Sequence, residues 1–80
     1  MKTIHIQYFA VLRELAGRSQ ETVPTDAETA AQLYAELVER YGFSLGPEQI
    51  RVVVNDAFDE FSAILRDGDE VVFLPPLAGG

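Results

Sequence analysis

The sequence predicts an α+β domain, a mixed four- to five-stranded sheet with one long helix packed on one face. Three observations point there. Residues 2–9 alternate between polar and apolar, the period of a half-buried strand. Ala30, Leu33, Tyr34, Leu37 and Tyr41 recur at helical spacing and make one apolar face. Strand composition then returns twice, in Arg51-Val52-Val53-Val54-Asn55 and in Asp69 to Leu74.

Each element has its own local cause. In the first strand Ile4, Ile6 and Tyr8 point one way, and Thr3, His5 and Gln7 the other. His5, the sole histidine, sits on the polar side and reads as a solvated strand residue, because no second metal-type ligand lies near it. Ala10 to Ala16 reads as a short helix anchored by Val11, Leu12 and Leu15, and ended by Gly17 in a left-handed cap. Ser19 to Val23 is expected to be a second strand, paired with the first and closed by Pro24.

The long helix has two candidate starts. Thr29-Ala30-Ala31-Gln32 matches a capping box, and Thr25 with Glu28 offers the same pattern one turn earlier. Glu36, Glu39 and Arg40 are expected on its solvated side, and Gly42 is its stop. Phe43 to Gln49 is a loop broken at Gly46-Pro47. Asn55-Asp56 is turn chemistry, leading back into a short strand from Phe58 to Phe61. Ile64-Leu65 reads as a buried pair, and Asp67-Gly68 as a tight turn feeding the last strand. One long helix on a mixed sheet, in this order, is the ubiquitin-like β-grasp arrangement. In it the first and last strands lie parallel at the centre, joined by a right-handed crossover.

Two segments follow from this reading: residues 1–74 as the folded domain and 75–80 as an extended tail ending in Gly-Gly. Pro75 and Pro76 keep the chain extended, and from Pro75 to Gly80 it can reach roughly 20 Å. Such a tapered tail fits insertion into another protein's narrow cleft, although chain ends are also commonly frayed. In the last strand Val71 and Phe73 are assigned to the core, which leaves Val72 and Leu74 on the open side. Phe58 and Phe61 are expected to extend that apolar row into a partner-binding patch, unless another element of the fold covers it.

Composition narrows the function. The chain has no cysteine, which removes disulfides, thiolate metal sites and a cysteine nucleophile, and fits a reducing cytoplasm. Its net charge is −7, from 13 acidic and 6 basic residues. Phosphate backbones repel such a surface, so no nucleic-acid partner is expected, while basic clefts on other proteins attract it. Met1 to His5 lacks a signal-peptide core, and no stretch approaches the ~20 apolar residues of a membrane span. No membrane contact is expected. Asp67-Gly68-Asp69-Glu70 lacks the alternating ligands of a calcium loop, so no metal site is assigned. No nucleophile elbow or phosphate-binding glycine loop appears.

Tyr8-Phe9-Ala10, Leu12-Arg13-Glu14-Leu15-Ala16-Gly17, Val53-Val54-Asn55 and Asp67-Gly68-Asp69-Glu70-Val71 carry a resemblance, continued by Phe73-Leu74-Pro75-Pro76 and Gly79-Gly80. Together they resemble the small subunit family of molybdopterin synthase (MoaD), a family of ubiquitin-like sulfur carriers. The resemblance spans the chain and reaches the glycines, so no trimming is expected. Leu77-Ala78 departs mildly, standing where relatives often have Val followed by Ser or Thr.

The resemblance implies that Gly80 is the reactive residue. A ubiquitin-activating-type enzyme, using ATP and Mg²⁺, would place a transient AMP on its carboxylate. A sulfur donor would then convert it to a thiocarboxylate. Pro75, Pro76, Leu77, Ala78 and Gly79 would enter the large subunit, where sulfur passes to cyclic pyranopterin monophosphate. Leu74, Val72, Phe58 and Phe61 would hold the partner, in a heterotetramer of two small and two large subunits. No permanently bound cofactor is implied. A carrier serving thiamin, tRNA thiolation or tungsten-cofactor synthesis, a plain interaction domain, and a lysine-conjugated modifier stand as alternatives.

Overall fold

The C-terminal strand lies in the middle of the sheet. The computed structural model describes residues 1–76. The chain runs β1 (Lys2–Tyr8), α1 (Ala10–Ala16), β2 (Gln20–Thr25) and α2 (Ala30–Tyr41). A single 3₁₀ turn (Pro47–Gln49) follows, then β3 (Arg51–Val54), β4 (Ala57–Asp59) and β5 (Glu70–Leu74). The strands are ordered β2-β1-β5-β3-β4. β1 and β5 are parallel, and the other three neighbouring pairs are antiparallel. This is the β-grasp arrangement that the element order predicts, with five strands.

Strand alternation separates the two faces of the sheet. Tyr8, Phe73 and Val52 lie in register across β1, β5 and β3, and all three are buried. Ile6 and Val71 form the next buried row. Leu33, Tyr34 and Leu37 of α2 complete the same core. Gly17 and Gly42 end the two helices with φ of 76° and 72°, the left-handed caps read from the sequence.

Several local expectations are corrected. α1 buries Leu12 and Ala16, while Val11 and Leu15 remain 40% and 41% exposed. A helix of two turns presents one i, i+4 pair to the sheet and turns the other outward. β2 does not stop at Pro24 but continues to Thr25, with Pro24 opposite Thr3. β2 is an edge strand, where the missing proline N–H leaves no ladder bond unmade. The return strand is Ala57–Asp59, shorter and earlier than 58–61. Leu65 is buried but Ile64 is 64% exposed, since neighbours in an extended segment face opposite ways.

The start of α2 shows why that extended segment is there. Thr29 is the N-cap, its hydroxyl accepting from Gln32 N at 3.2 Å. The Gln32 side chain accepts from Glu28 N, one residue short of the reciprocal bond of a capping box. The N–H groups of Ala30 and Ala31 donate to the carbonyls of Ala63 and Phe61, so residues 61–65 satisfy donors that a helix start leaves free. Thr25, the other candidate start, donates to the Glu36 carboxylate at 2.8 Å. Glu36 is therefore half-buried and engaged, not solvated as expected.

A polar clamp ties β1, β2 and α2 together. Tyr8 and Tyr41 both donate to Glu21 Oε2, at 2.5 and 2.6 Å, and Arg18 pairs with the other carboxylate oxygen. Tyr34 donates to the Leu45 carbonyl at 2.6 Å. Burial raises all three phenols above their ordinary value, and the Glu21 carboxylate raises Tyr8 and Tyr41 further.

Two outcomes are expected. Leu12→Ala should cost about 2–5 kcal/mol in urea unfolding, against under ~1 kcal/mol for Leu15→Ala, since only Leu12 leaves a cavity. The folded chain keeps phenolic protons that the unfolded chain gives up above pH 10.0. The stability they contribute is present below that pH and lost as pH rises beyond it. Tyrosinate absorbance should therefore rise together with loss of helical circular dichroism; free titration of the folded protein would contradict this.

Candidate functional site: the open sheet face and the root of the C-terminal segment

The turn that starts β5 is built from the acidic run. Arg66 to Asp69 closes with Asp69 N donating to the Arg66 carbonyl, and Gly68 has φ of 88°, a value that suits glycine. Asp67 accepts from Thr3 N at 2.7 Å, and Gly68 N donates to the Thr3 carbonyl. Asp69 accepts from Arg66 N and from the Asn55 side chain, at 2.8 and 2.9 Å. Asn55 in turn accepts from Glu70 N at 3.0 Å. Asp67 and Asp69 thus work as turn acceptors that fix where β5 begins.

Asn55 and Asp56 have φ of 51° and 70°, the two left-handed residues of a tight hairpin between β3 and β4. The Asn55 side chain also locks this hairpin to β5. Its turn role is readable from the sequence; the lock needs strands that meet only in the fold.

At the other end of β5 the pairing runs out. Leu74 lies opposite Arg51, and Pro75 and Pro76 follow without an N–H to continue the ladder. The chain therefore leaves the sheet from its centre. Leu77, Ala78, Gly79 and Gly80, expected to enter a partner and to carry the reactive group, lie outside the described residues.

The open face is divided. One row runs Gln20–Gln7–Val72–Val53–Phe58 across all five strands. Its β1–β2 half is polar: His5, Thr22 and Glu70 flank the glutamines, and His5 Nδ1 lies 3.0 Å from the Thr22 hydroxyl. Its β3–β5 half is apolar. Phe58 is 70% exposed, and Val53, Val72 and Leu74 are half-buried. Beside them Gln49, Arg51, Phe58, Leu74, Pro75 and Pro76 line a shallow depression at the point where the chain leaves the sheet.

The structure thus brings together Leu74, Val72, Phe58, Pro75 and Pro76. Phe61 lines the adjoining depression with Phe58 and Arg51, at the margin of this patch. Its ring also packs against Phe73 and Tyr34, with centroids 6.2 and 5.8 Å away, so it is half-buried against the core. Phe61 falls beyond the end of β4, and strand alternation from Phe58 does not reach it. Val53 and Arg51 are patch members that the sequence reading did not assign. Val53 could have been found from parity with Val52, whereas Arg51 becomes visible only through its pairing with Leu74.

The ThiS family profile matches residues 6–80. The molybdopterin synthase sulfur carrier subunit of Escherichia coli is 34% identical, over 96% of this chain and 99% of that protein. The subunit of the same name from Drosophila erecta is 37% identical, over 96% of this chain and 90% of its own length. Among solved structures, small archaeal modifier protein 1 of Haloferax volcanii superposes with a TM-score of 0.80 at 26% identity, covering 98% of this chain and 99% of that one.

The two phenylalanines divide by how much of the core packing each supports. Phe58→Ser should change stability by no more than about 0.5 kcal/mol, the range of surface substitutions. Phe61→Ser should cost about 2 kcal/mol or more, because it strips a ring from the aromatic packing around Phe73. Urea titration of both variants measures the contrast, and equal losses would refute the division.

Proposed function

The chain belongs to the ThiS family, alongside the molybdopterin synthase sulfur carrier subunits, and from that premise we propose that it carries sulfur on the carboxyl group of Gly80. The observation that carries the reading is the exit of the central strand into Pro75-Pro76, next to an exposed apolar patch. A strand paired on both sides gives the tail a rigid base. The patch gives a partner something to grip while the tail is threaded.

The chemistry follows from the end group. A free carboxylate is a poor electrophile. Attack of its oxygen on the α-phosphorus of ATP, in a ubiquitin-activating-type enzyme with Mg²⁺, gives an acyl-adenylate and releases pyrophosphate. A donor's persulfide sulfur then displaces AMP at the carbonyl carbon, and a thiol cleaves the resulting acyl disulfide, leaving the thiocarboxylate and a disulfide. The thiocarboxylate that results is anionic at neutral pH and nucleophilic as such. Glycine at position 80 leaves no side chain to obstruct either step, and Gly79 admits backbone angles closed to other residues.

The loaded carrier docks on the synthase large subunit, which takes the tail into its active site. There sulfur passes to cyclic pyranopterin monophosphate, and two carriers complete one dithiolene. Two small and two large subunits make the working assembly, in the cytoplasm. The acids and bases of transfer belong to the partners, and this chain contributes positioning.

Deleting Gly80, or adding one residue after it, should abolish sulfur transfer to the pterin while leaving the urea midpoint unchanged. Intact mass of protein taken from cells should show one oxygen replaced by sulfur, with oxidation excluded by tandem fragmentation at Gly80. Isopeptide-linked products would instead favour a modifier role, which the likeness to the archaeal modifier keeps in view. Sulfur transfer by the truncated chain would refute the assignment.

A further inference from the structure

Arg51 borders the apolar patch at the point where the chain leaves the sheet. It pairs with Leu74 across β3 and β5 and lines the depression with Phe58, Pro75 and Pro76. Buried Val52 places Arg51 on the open face by strand alternation. Of the strand residues on that face it is the single lysine or arginine. Among the described residues no counter-ion pairs with it. Among the described residues the ion pairs are Met1 with Asp26 and Arg18 with Glu21. Glu48 and Asp59 line the adjoining depression with Arg51, but neither pairs with it.

A guanidinium keeps its charge at every accessible pH, so it cannot escape burial by losing a proton. Any protein that covers Phe58, Leu74 and the prolines removes water from Arg51 as well, and an unpaired buried charge is strongly unfavourable. We propose that Arg51 is a partner-selecting residue, which requires the synthase large subunit to present a carboxylate opposite it. The planar fork of the guanidinium matches a carboxylate with two parallel hydrogen bonds, fixing orientation as well as position. On a carrier of net charge −7, a partner's carboxylate placed elsewhere is repelled. A single cation next to the tail root therefore sets the register in which the tail is threaded.

This rests on the reading that the large subunit covers the patch. The test titrates wild type, Arg51→Gln, Arg51→Glu and Arg51→Lys against the cognate purified large subunit by calorimetry, at low and high salt. Thermal midpoints of the free carriers should stay together, because Arg51 is exposed and pairs with none of the described residues. Arg51→Gln and Arg51→Glu should bind about 30-fold more weakly or worse, the loss expected when one partner of a buried charge pair is removed. Arg51→Lys should fall between, keeping the charge but not the fork. Reversing the facing acidic residue of the large subunit to lysine should restore binding of Arg51→Glu. Variants that bind like wild type, with the same salt dependence, overturn this inference alone. A wild type that does not bind overturns the docking reading and this inference together.

Discussion

The parallel pairing of β1 with β5 is the constraint on which the structure depends. It joins the first and last strands through His5–Tyr8 and Glu70–Phe73, and it puts Val71 and Phe73 where no solvent reaches them. β5 is also paired to β3, so the strand that precedes the C-terminal segment is held on both edges. A chain end leaving an edge strand would fray with it. One leaving the central strand starts from a fixed point, and that is what a tail threaded into another protein needs.

Both ends of β5 are set by simple chemistry. At its start Asp67, Asp69 and Asn55 satisfy backbone N–H groups of β1, the turn and β5, so a slip by one residue would break several hydrogen bonds at once. At its end two prolines withdraw the donors that a further pair would need. Acidic residues that invite a metal reading in sequence are thus acceptors for backbone groups.

The two faces of the sheet divide the labour. The core face, closed by α2 and by the tyrosine clamp on Glu21, supplies rigidity. The open face is polar over β1 and β2 and apolar over β3, β4 and the end of β5. The apolar half lies on the same side as the departure of the tail. On the function proposed above, a partner that gripped it would receive the tail in one orientation, as a transfer dominated by positioning requires.

Local pattern determined most of the elements. Alternation in residues 2–8, helical spacing in 30–41, glycines at 17 and 42, and Asn55-Asp56 and Asp67-Gly68 at the turns each carry their own physical cause within a few residues. Parity alone assigned Val71 and Phe73 to the core. Tertiary structure decided what local pattern leaves open. Leu12 over Leu15, the exposure of Ile64 and the packing of Phe61 against Phe73 depend on which surface the fold lays against them. The clamp of Tyr8 and Tyr41 on Glu21, and the place of Arg51 beside Leu74, join residues 13 to 23 positions apart, and such pairs exist only once the strands are in register. Periodicity specifies which way a side chain points, but what it meets there is set by the packing of the whole chain.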